Sequence, residues 1–333
     1  MKALLIAGGF GTRLRPLTYT RPKHLLPIAN RAHIHHVFDL LQRHGIDEAV
    51  LLTSYLAEAF EGAVAEAAAR GVRVEVTHEA EPLGTAGAMK NAEALVGEET
   101  FFAFNGDILS DLDLTAMMEF HRSRDAEGTI VLTPVEDPSA FGVVPTDPDG
   151  RVQRFIEKPP RDEAPTNLIN AGVYILEPSV LSRIPEGVEW SAERALFPGL
   201  VEDGARLFAT ATDAYWMDVG TPEKYLTANL DALSGRFETE AVRQPGPHAV
   251  VIAADAEVAT GARVSSACLA SKVVVEEGAT IERSVLLPGA VVSSGAEVRD
   301  SILGADVTVS AGARVAGATI GDGALVDDTE GDQ

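Results

Sequence analysis

Residues 3–18 read Ala3-Leu4-Leu5-Ile6-Ala7-Gly8-Gly9-Phe10-Gly11-Thr12-Arg13-Leu14-Arg15-Pro16-Leu17-Thr18. A short apolar run that stops at paired glycines reads as a buried strand running into a tight loop. Three glycines let the backbone approach an anion closely and turn its N–H groups toward it. Arg13 follows, and Lys23 brings a second cation to the same mouth. Two familiar phosphate loops do not fit. A dinucleotide fingerprint needs glycine where Leu14 stands, and a Walker A loop needs Gly-Lys-Ser or Gly-Lys-Thr.

Outward from this loop, apolar runs alternate with amphipathic stretches. Ile34, Val37, Phe38, Leu40 and Leu41 fall at helical spacing, and His44-Gly45 ends the pattern. Residues 49–53 and 72–76 read as strands around an Ala-rich helix. Residues 100–104 read as a buried strand ending at Asn105-Gly106-Asp107. Such alternation predicts an α/β domain with a Rossmann-like, mainly parallel sheet. Ligands of such sheets bind beyond the carboxyl ends of the strands, which here means the loops after Ala7 and Phe104.

The chain changes grammar near its end. Gly-Ala-x-Val or Gly-Ala-x-Ile recurs at Gly261, Gly278, Gly295 and Gly312, in steps of 17. Ser284-Val-Leu, Ser301-Ile-Leu and Ala318-Thr-Ile keep the same step. No helical period fits, and a fixed short repeat predicts a β-solenoid with three faces of about six residues. These repeats resemble the hexapeptide repeats of left-handed parallel β-helices. Cys268 is expected to line up with Ser284 and Ser301 as a small core-facing thiol. Residues 234–248 hold Gly235, Pro245, Gly246 and Pro247 and read as a linker. The expected organisation is an α/β domain over 1–233, a linker over 234–248 and a left-handed β-helix over 249–333.

The 333 residues carry 27 Lys+Arg against 50 Asp+Glu, a net charge of −23, which argues against a nucleic-acid-coating protein. One cysteine forms no internal disulfide. No apolar run near the start is long enough for a signal peptide or a spanning helix, so a soluble cytoplasmic protein without a membrane partner is expected. Arg13, Arg15, Arg21 and Lys23 fall within eleven residues free of Asp and Glu, so the loop reads as a basic island in an acidic chain.

The segment from Gly8 to Lys23 resembles the signature of the sugar-nucleotide pyrophosphorylases, nucleotidyltransferases that join a sugar 1-phosphate to a nucleoside triphosphate. The likeness continues, in the family's order, through Glu79-Ala80-Glu81-Pro82-Leu83-Gly84-Thr85-Ala86-Gly87, Asn105-Gly106-Asp107, Phe141-Gly142-Val143-Val144, Phe155-Ile156-Glu157-Lys158-Pro159, Asn170-Ala171-Gly172-Val173-Tyr174 and Trp216-Met217-Asp218-Val219-Gly220. A β-helical tail is also common in that family. The resemblance implies that Gly8, Gly9, Gly11 and Thr12 cradle the nucleotide. It implies that Arg13 and Lys23 neutralise phosphate charge at the reacting centre, and that Asp107 and Asp218 hold Mg2+. Magnesium takes one or two carboxylates beside phosphate oxygens and water, which suits the pair. Glu157 and Lys158 are implied to hold the sugar and its phosphate, with Gly142, Asn170 and Gly172 completing the sugar-phosphate site. Pro82, Gly84 and Thr85 belong with Glu79 on the nucleotide side.

Glu79 bears on the base. Relatives acting on uridine or thymidine nucleotides generally have Gln at the matching position. A carboxylate only accepts, which suits the adjacent N1–H and N2–H donors of guanine. Glu79 therefore favours GTP. The wider text, including Ser191-Ala192-Glu193 and Phe197-Pro198, looks most like the mannose-1-phosphate guanylyltransferase branch of the family. Uridylyl or thymidylyl transfer to glucose 1-phosphate stays as an alternative, as does a catalytically silent nucleotide-sugar-binding subunit. An acyltransferase reading of the β-helix fails, because no histidine follows His248 to serve as base. His33, His35 and His36 lack Cys or carboxylate partners at ligand spacing and open an amphipathic helix. The open end of a solenoid must be capped or buried, so a homo-oligomer is expected.

Overall fold

The computed structural model describes residues 1–54, 56–79 and 81–327. Ala80 of the Glu79 segment and the last six residues of the expected β-helix lie outside the described residues. Two compact units form, and they do not follow chain order. Met1–Gly9 and Val37–Trp216 make the first, while Phe10–His36 and Met217–Gln333 make the second.

The first unit is built on a sheet of β1 (Lys2–Ile6), β2 (Glu48–Thr53), β3 (Arg73–His78), β4 (Phe101–Asn105), β5 (Gly128–Pro134), β6 (Gly142–Val143), β7 (Ile156–Glu157), β8 (Leu168–Leu176) and β9 (Leu207–Ala211). The lateral order is β7-β6-β8-β4-β1-β2-β3, with β5 also on β8 and β9 along β5. From β3 through β2 and β1 to β4 every pair is parallel, for example Leu4 opposite Val50 and Ala103 opposite Leu4. This is the expected Rossmann-like half. Beyond it β8 runs antiparallel to β4, β5 and β6. Leu4, Val50, Phe101, Ala103, Ile130, Tyr174 and Phe197 share one core. Each Leu, Val, Ile or Phe among them contributes roughly 1.5–3 kcal/mol on burial, which is why β1 and β4 read as apolar runs. Helix α1 spans His33–Arg43, and α2 (Gly84–Asn91) packs on the sheet through Ala86, Ala88 and Met89.

In the second unit the solenoid forms three all-parallel sheets, each advancing 17 residues per coil, as a left-handed β-helix requires. Its corners fall in three series at that step. Gly261, Gly278, Gly295 and Gly312 hold the first; Ser266, Arg283, Asp300 and Gly317 the second; Lys272, Gly289, Asp306 and Gly323 the third. All have positive φ, the conformation that glycine adopts without steric cost. The Gly-Ala motif therefore marks one corner of three. The other two are harder to see because Ser, Arg, Asp and Lys occupy most of their left-handed positions. Ala267, Leu269, Val275, Ile281, Leu286, Val298 and Leu303 fill the interior.

One expectation fails by a single residue. Cys268 pairs with Val285, and Ala267 takes the place opposite Ser284, because 284 − 17 = 267. A one-residue shift turns a strand side chain to the other face. Cys268 is fully buried outside the solenoid's apolar interior, beside the Ala29 backbone, and burial pushes its thiol up to about 12. Helix α3 (Pro222–Ser234) and residues 10–36 pack with this face of the coils. The Tyr225 hydroxyl donates to the Pro27 carbonyl at 2.6 Å, and Asn229 Oδ1 accepts the Ala29 N–H at 2.9 Å. Asn30 Nδ2 donates to the Leu269 and Val251 carbonyls at 2.6 and 3.2 Å. No helix among the described residues is long and apolar enough to cross a membrane.

Candidate active site

In the first unit the motif residues collect at the carboxyl ends of the parallel strands. Gly8 and Gly9 follow β1, Glu79 follows β3 and Asp107 follows β4. Backbone bonds hold these ends level: Ala7 N–H to Leu52 O at 2.8 Å, Gly106 N–H to Ile6 O at 2.9 Å and Glu79 N–H to Thr53 O at 2.8 Å. The Ser54 hydroxyl donates to the Gly8 carbonyl. A Cβ on Gly8 would lie 2.9 Å from that hydroxyl oxygen, so a side chain there would displace the Ser54 hydroxyl.

Glu79 is 5% exposed, and its Oε2 accepts the Leu83 N–H at 3.0 Å. Burial raises its carboxyl above the ordinary value, opposed by that N–H. The carboxylate is therefore an inward-held acceptor at the strand end. Pro82 is exposed, and Gly84 takes φ +70 where a Cβ would meet the Trp190 carbonyl at 2.9 Å. That carbonyl accepts the Ala86 and Gly87 N–H groups and so anchors the first turn of α2.

Thr85 has a more particular position than its motif suggested. Its hydroxyl donates to Glu193 Oε2 at 2.9 Å and accepts the Ala192 N–H at 2.7 Å. The hydroxyl proton goes to Glu193, so the Thr85 side chain ties the start of α2 to residues 192–193. Glu193 Oε2 also accepts the Ser191 hydroxyl at 2.8 Å, and Oε1 accepts the Tyr174 hydroxyl at 3.3 Å. The Tyr174 oxygen in turn accepts Asn170 Nδ2 at 2.7 Å, and Asn170 Oδ1 accepts the Gly172 N–H at 3.0 Å. Burial and the neighbouring Glu193 push the Tyr174 phenol well above its usual value, keeping it a donor. The relay runs from the nucleotide motif to the sugar motif. Glu193 and Tyr174 stood only in quoted likenesses, and nothing in their spacing marked them as partners.

On the sugar side the pairing of β8 with β5 shifts between Asn170 and Tyr174. That irregularity re-aims Asn170 along its own strand. Gly172 at φ +70 leaves room for Asn105, whose Nδ2 would be 2.7 Å from a Cβ there. Trp216 Nε1 donates to the Ala171 carbonyl at 2.8 Å and packs edge-on against Phe141 at 5.8 Å. A Cβ on Gly142 would strike Phe155 at 2.5 Å and lie 3.2 Å from Glu157 Oε2. Gly142, Phe155 and Glu157 thus meet at one spot across β6 and β7. The Lys158 ammonium is largely exposed, 3.9 Å from Glu157 Oε1.

In the second unit Gly11, at φ +62, turns the loop. Its carbonyl accepts the Thr18 hydroxyl at 2.8 Å, and a Cβ would meet Thr18 and Lys23 carbons at 3.1 and 3.3 Å. Leu14 and Leu17 are buried anchors, with Thr12 and Arg13 exposed just before Leu14 and Arg15 exposed between the two. Arg13 and Asp218 come together around Gly220. A Cβ there would lie 2.8 Å from Arg13 Nη2 and 2.9 Å from Asp218 Oδ1. Asp218 Oδ1 is buried with no hydrogen-bond partner, and Oδ2 lies 3.5 Å from Lys224 Nζ. A buried carboxylate oxygen without a donor is costly unless a cation meets it, so Asp218 fits a metal. The basic island is smaller than its sequence suggested, because Arg21 pairs with Asp322 at 2.7 Å. Among the histidines, His36 holds the Ile28 carbonyl at 3.0 Å and the Thr239 hydroxyl at 3.2 Å, a packing role.

Residues 2–235 match the family model described as Nucleotidyl transferase, and residues 247–329 match the GMPPB C-terminal domain. The chain is 41% identical over 242 residues to a mannose-1-phosphate guanylyltransferase of Mycobacterium tuberculosis, covering 72% of this chain and 67% of that one. It is 44% identical over 232 residues to a mannose-1-phosphate guanyltransferase of Aspergillus fumigatus, covering 68% and 63%. The chain thus spans about two thirds of the length of these curated relatives. HddC from Yersinia pseudotuberculosis, solved in complex with GMP-PN, superposes at TM-score 0.60 with 30% identity, covering 68% of this chain and 97% of that one. UDP-glucose pyrophosphorylase from Acinetobacter baumanii superposes at 0.61 with 25% identity, covering 70% and 93%. With a sheet whose strand ends carry the motif residues and a family model spanning most of its length, the chain belongs to the nucleotidyl transferase family.

Proposed function

We propose that this enzyme transfers the guanylyl group of GTP to mannose 1-phosphate, giving GDP-mannose and pyrophosphate. A phosphate oxygen of the sugar phosphate attacks the α-phosphorus of GTP. The bond from that phosphorus to the β-phosphate oxygen breaks, and pyrophosphate leaves with the electron pair. The nucleophile is already an anion, so no general base is needed, and catalysis consists of positioning and charge neutralisation. Gly8, Gly9, Gly11 and Thr12 receive the triphosphate, and Arg13 and Lys23 offset charge developing on the leaving group. Glu157 and Lys158 hold the sugar and its phosphate, with Gly142, Asn170 and Gly172 giving backbone access. Asp107 and Asp218 would hold Mg2+, which when bound neutralises phosphate charge; the unpartnered Asp218 oxygen supports this.

The choice of base is carried by Glu79, a buried acceptor-only side chain at the end of β3. Relatives named for mannose 1-phosphate and guanylyl transfer, and the likeness to a structure holding GMP-PN, favour the same pair. We also propose a cytoplasmic homo-oligomer, with a second copy covering Val250, Ile252 and Val258, which are 39–41% exposed on the first coil. The primary test is a pyrophosphate-release matrix of GTP, UTP, dTTP and ATP against several sugar 1-phosphates. Turnover is expected only with GTP and most strongly with mannose 1-phosphate. Preference for UTP or dTTP sinks the guanine reading, and silence with every pair sinks the enzyme. Sedimentation as a monomer at working concentration sinks the oligomer.

A further inference from the structure

The loop that carries Arg13 and Lys23 rests on the solenoid, and one solenoid side chain reaches into it. Asp322 Oδ2 accepts the Thr20 hydroxyl and Arg21 Nη2, both at 2.7 Å. Its Oδ1 accepts Arg21 Nη1 at 3.3 Å and the Ala305 N–H at 2.8 Å. Two parallel bonds from one guanidinium to one carboxylate fix direction as well as distance. The two side chains are only 23% and 22% exposed.

Within the solenoid this carboxylate serves one backbone donor, the Ala305 N–H. Strand register steps by 17, with Ile302 opposite Thr319 and Leu303 opposite Ile320. The positions equivalent to Asp322 in earlier coils are therefore Ala305, Pro288, Ser271 and Ala254, none of them acidic. A Cβ on Gly321 would sit 3.0 Å from the Pro16 ring; glycine also stands one coil earlier at Gly304, whereas the positions two and three coils earlier hold Leu287 and Ala270. The late coil is thus both narrowed and charged where Pro16, Thr20 and Arg21 approach. At the other end of the solenoid, Asn30 donates to the Val251 and Leu269 carbonyls. Lys23 lies between these two anchors, and Arg13 lies just ahead of them.

We infer that Asp322 is a positioning residue for nucleotidyl transfer: it clamps Thr20 and Arg21 so that the solenoid sets the loop presenting Arg13 and Lys23. The same clamp spends the Arg21 charge within the protein, so that cation does not compete with Arg13 for phosphate. The inference rests on the proposed reaction for its kinetic readout, and a second readout is independent of turnover.

Asp322→Ala should fold as the wild type does, because alanine already stands at equivalent positions 305 and 254. Its kcat should fall on the order of tenfold to a hundredfold, the scale of a small misplacement of catalytic groups, with KM for both substrates little changed. Arg21→Ala should cause a similar loss, and the double variant should be no worse than the worse single. The exchanged pair, Arg21→Asp with Asp322→Arg, should recover activity that each single exchange loses. Hydrogen exchange should quicken at the Leu14, Leu17 and Tyr19 amides, which bond within the loop, and not at the Ala270 and Leu287 amides of the coils. Wild-type turnover by Asp322→Ala, or additive losses in the double variant, overturns the inference. Unchanged loop exchange overturns it as well. If the wild type turns over no pair at all, the proposed reaction fails, while the exchange measurement still decides whether Asp322 holds the loop.

Discussion

Glu193 accepts the Thr85 hydroxyl at 2.9 Å, and this bond ties the nucleotide loop to the strand that carries the sugar motif. The same carboxylate takes the Ser191 and Tyr174 hydroxyls, so three donors converge on an acceptor-only group. Glutamine in its place must turn an amide N–H toward one of them. Glu193→Gln should therefore lose about 1–3 kcal/mol of stability, the cost of one buried polar group left without its partner, read from the urea midpoint. Tyr174→Phe removes the acceptor for Asn170 Nδ2 while leaving Thr85 on Glu193. It should raise KM for the sugar phosphate several-fold and leave KM for GTP alone. An equal rise for both substrates would contradict the relay's direction.

Glu79 links base choice to pH. Burial holds its carboxyl above the ordinary value of 4.5, so ionising it costs the folded state more than the unfolded chain. The sign follows: stability is highest below the unfolded value and falls as pH rises from 4.5 through the raised folded value. Glu79→Gln should be more stable than the wild type at pH 7, with the difference closing toward pH 4. GTP should stabilise the wild type more than the variant, because guanine supplies donors to the carboxylate. The variant should lose roughly tenfold to a hundredfold in kcat/KM for GTP, about 1–3 kcal/mol, and gain relative preference for UTP or dTTP. Thermal shifts across pH and the release assay read both effects.

Much of the architecture was legible because periodicity survives in sequence. The apolar runs of β1 and β4 and the 17-residue step each announced their element. The one-residue slip at Cys268 shows the limit: a repeat fixes the step, while register decides which face a side chain takes. The candidate site was legible where its residues fall inside a motif, as at Gly8, Glu79 and Asp218. It was hidden where partners lie far along the chain. Asp322 is 301 residues from Arg21, and Glu193 is 108 from Thr85. The eleven-residue island looked uniformly basic because its counterion belongs to a solenoid coil. The packing of residues 10–36 with 217–333 was equally invisible, since it depends on Asn30, Asn229 and Tyr225 each meeting a distant partner.

Gly220 lies between two groups that the proposed reaction would use, Arg13 and Asp218. A methyl there would sit 2.8 Å from Arg13 Nη2 and 2.9 Å from Asp218 Oδ1, so the flexible guanidinium must move. Gly220→Ala should lower kcat/KM about a hundredfold while shifting stability by less than about 1 kcal/mol. Asp218→Ala should abolish metal-dependent turnover and leave stability equal to or above that of the wild type, because it deletes a buried oxygen without a partner. Metal titration of turnover, set beside denaturation midpoints, separates these outcomes. A large loss of stability in either variant would show that the site is held together by these side chains rather than shaped for a ligand.

His36 makes the second unit sensitive to acid. Its ring is buried, donates Nε2–H to the Ile28 carbonyl and meets the Thr239 hydroxyl at Nδ1, partners that satisfy the neutral form. Burial lowers its pKa from 6.5 to about 3; the Ile28 carbonyl opposes that shift, while His33, Arg31 and His35 add to it. The folded value is depressed, so the unfolded chain binds a proton that the folded chain refuses between pH 6.5 and about 3. Stability is fully present above pH 6.5 and drains as pH falls, at up to about 1.4 kcal/mol per pH unit. Between pH 7 and pH 5 the loss from this group should be about 2 kcal/mol. His36→Gln keeps a donor and an acceptor at the site without a titrating ring. Its urea midpoint should fall less steeply over that range, and a slope equal to the wild type's would assign the acid sensitivity elsewhere.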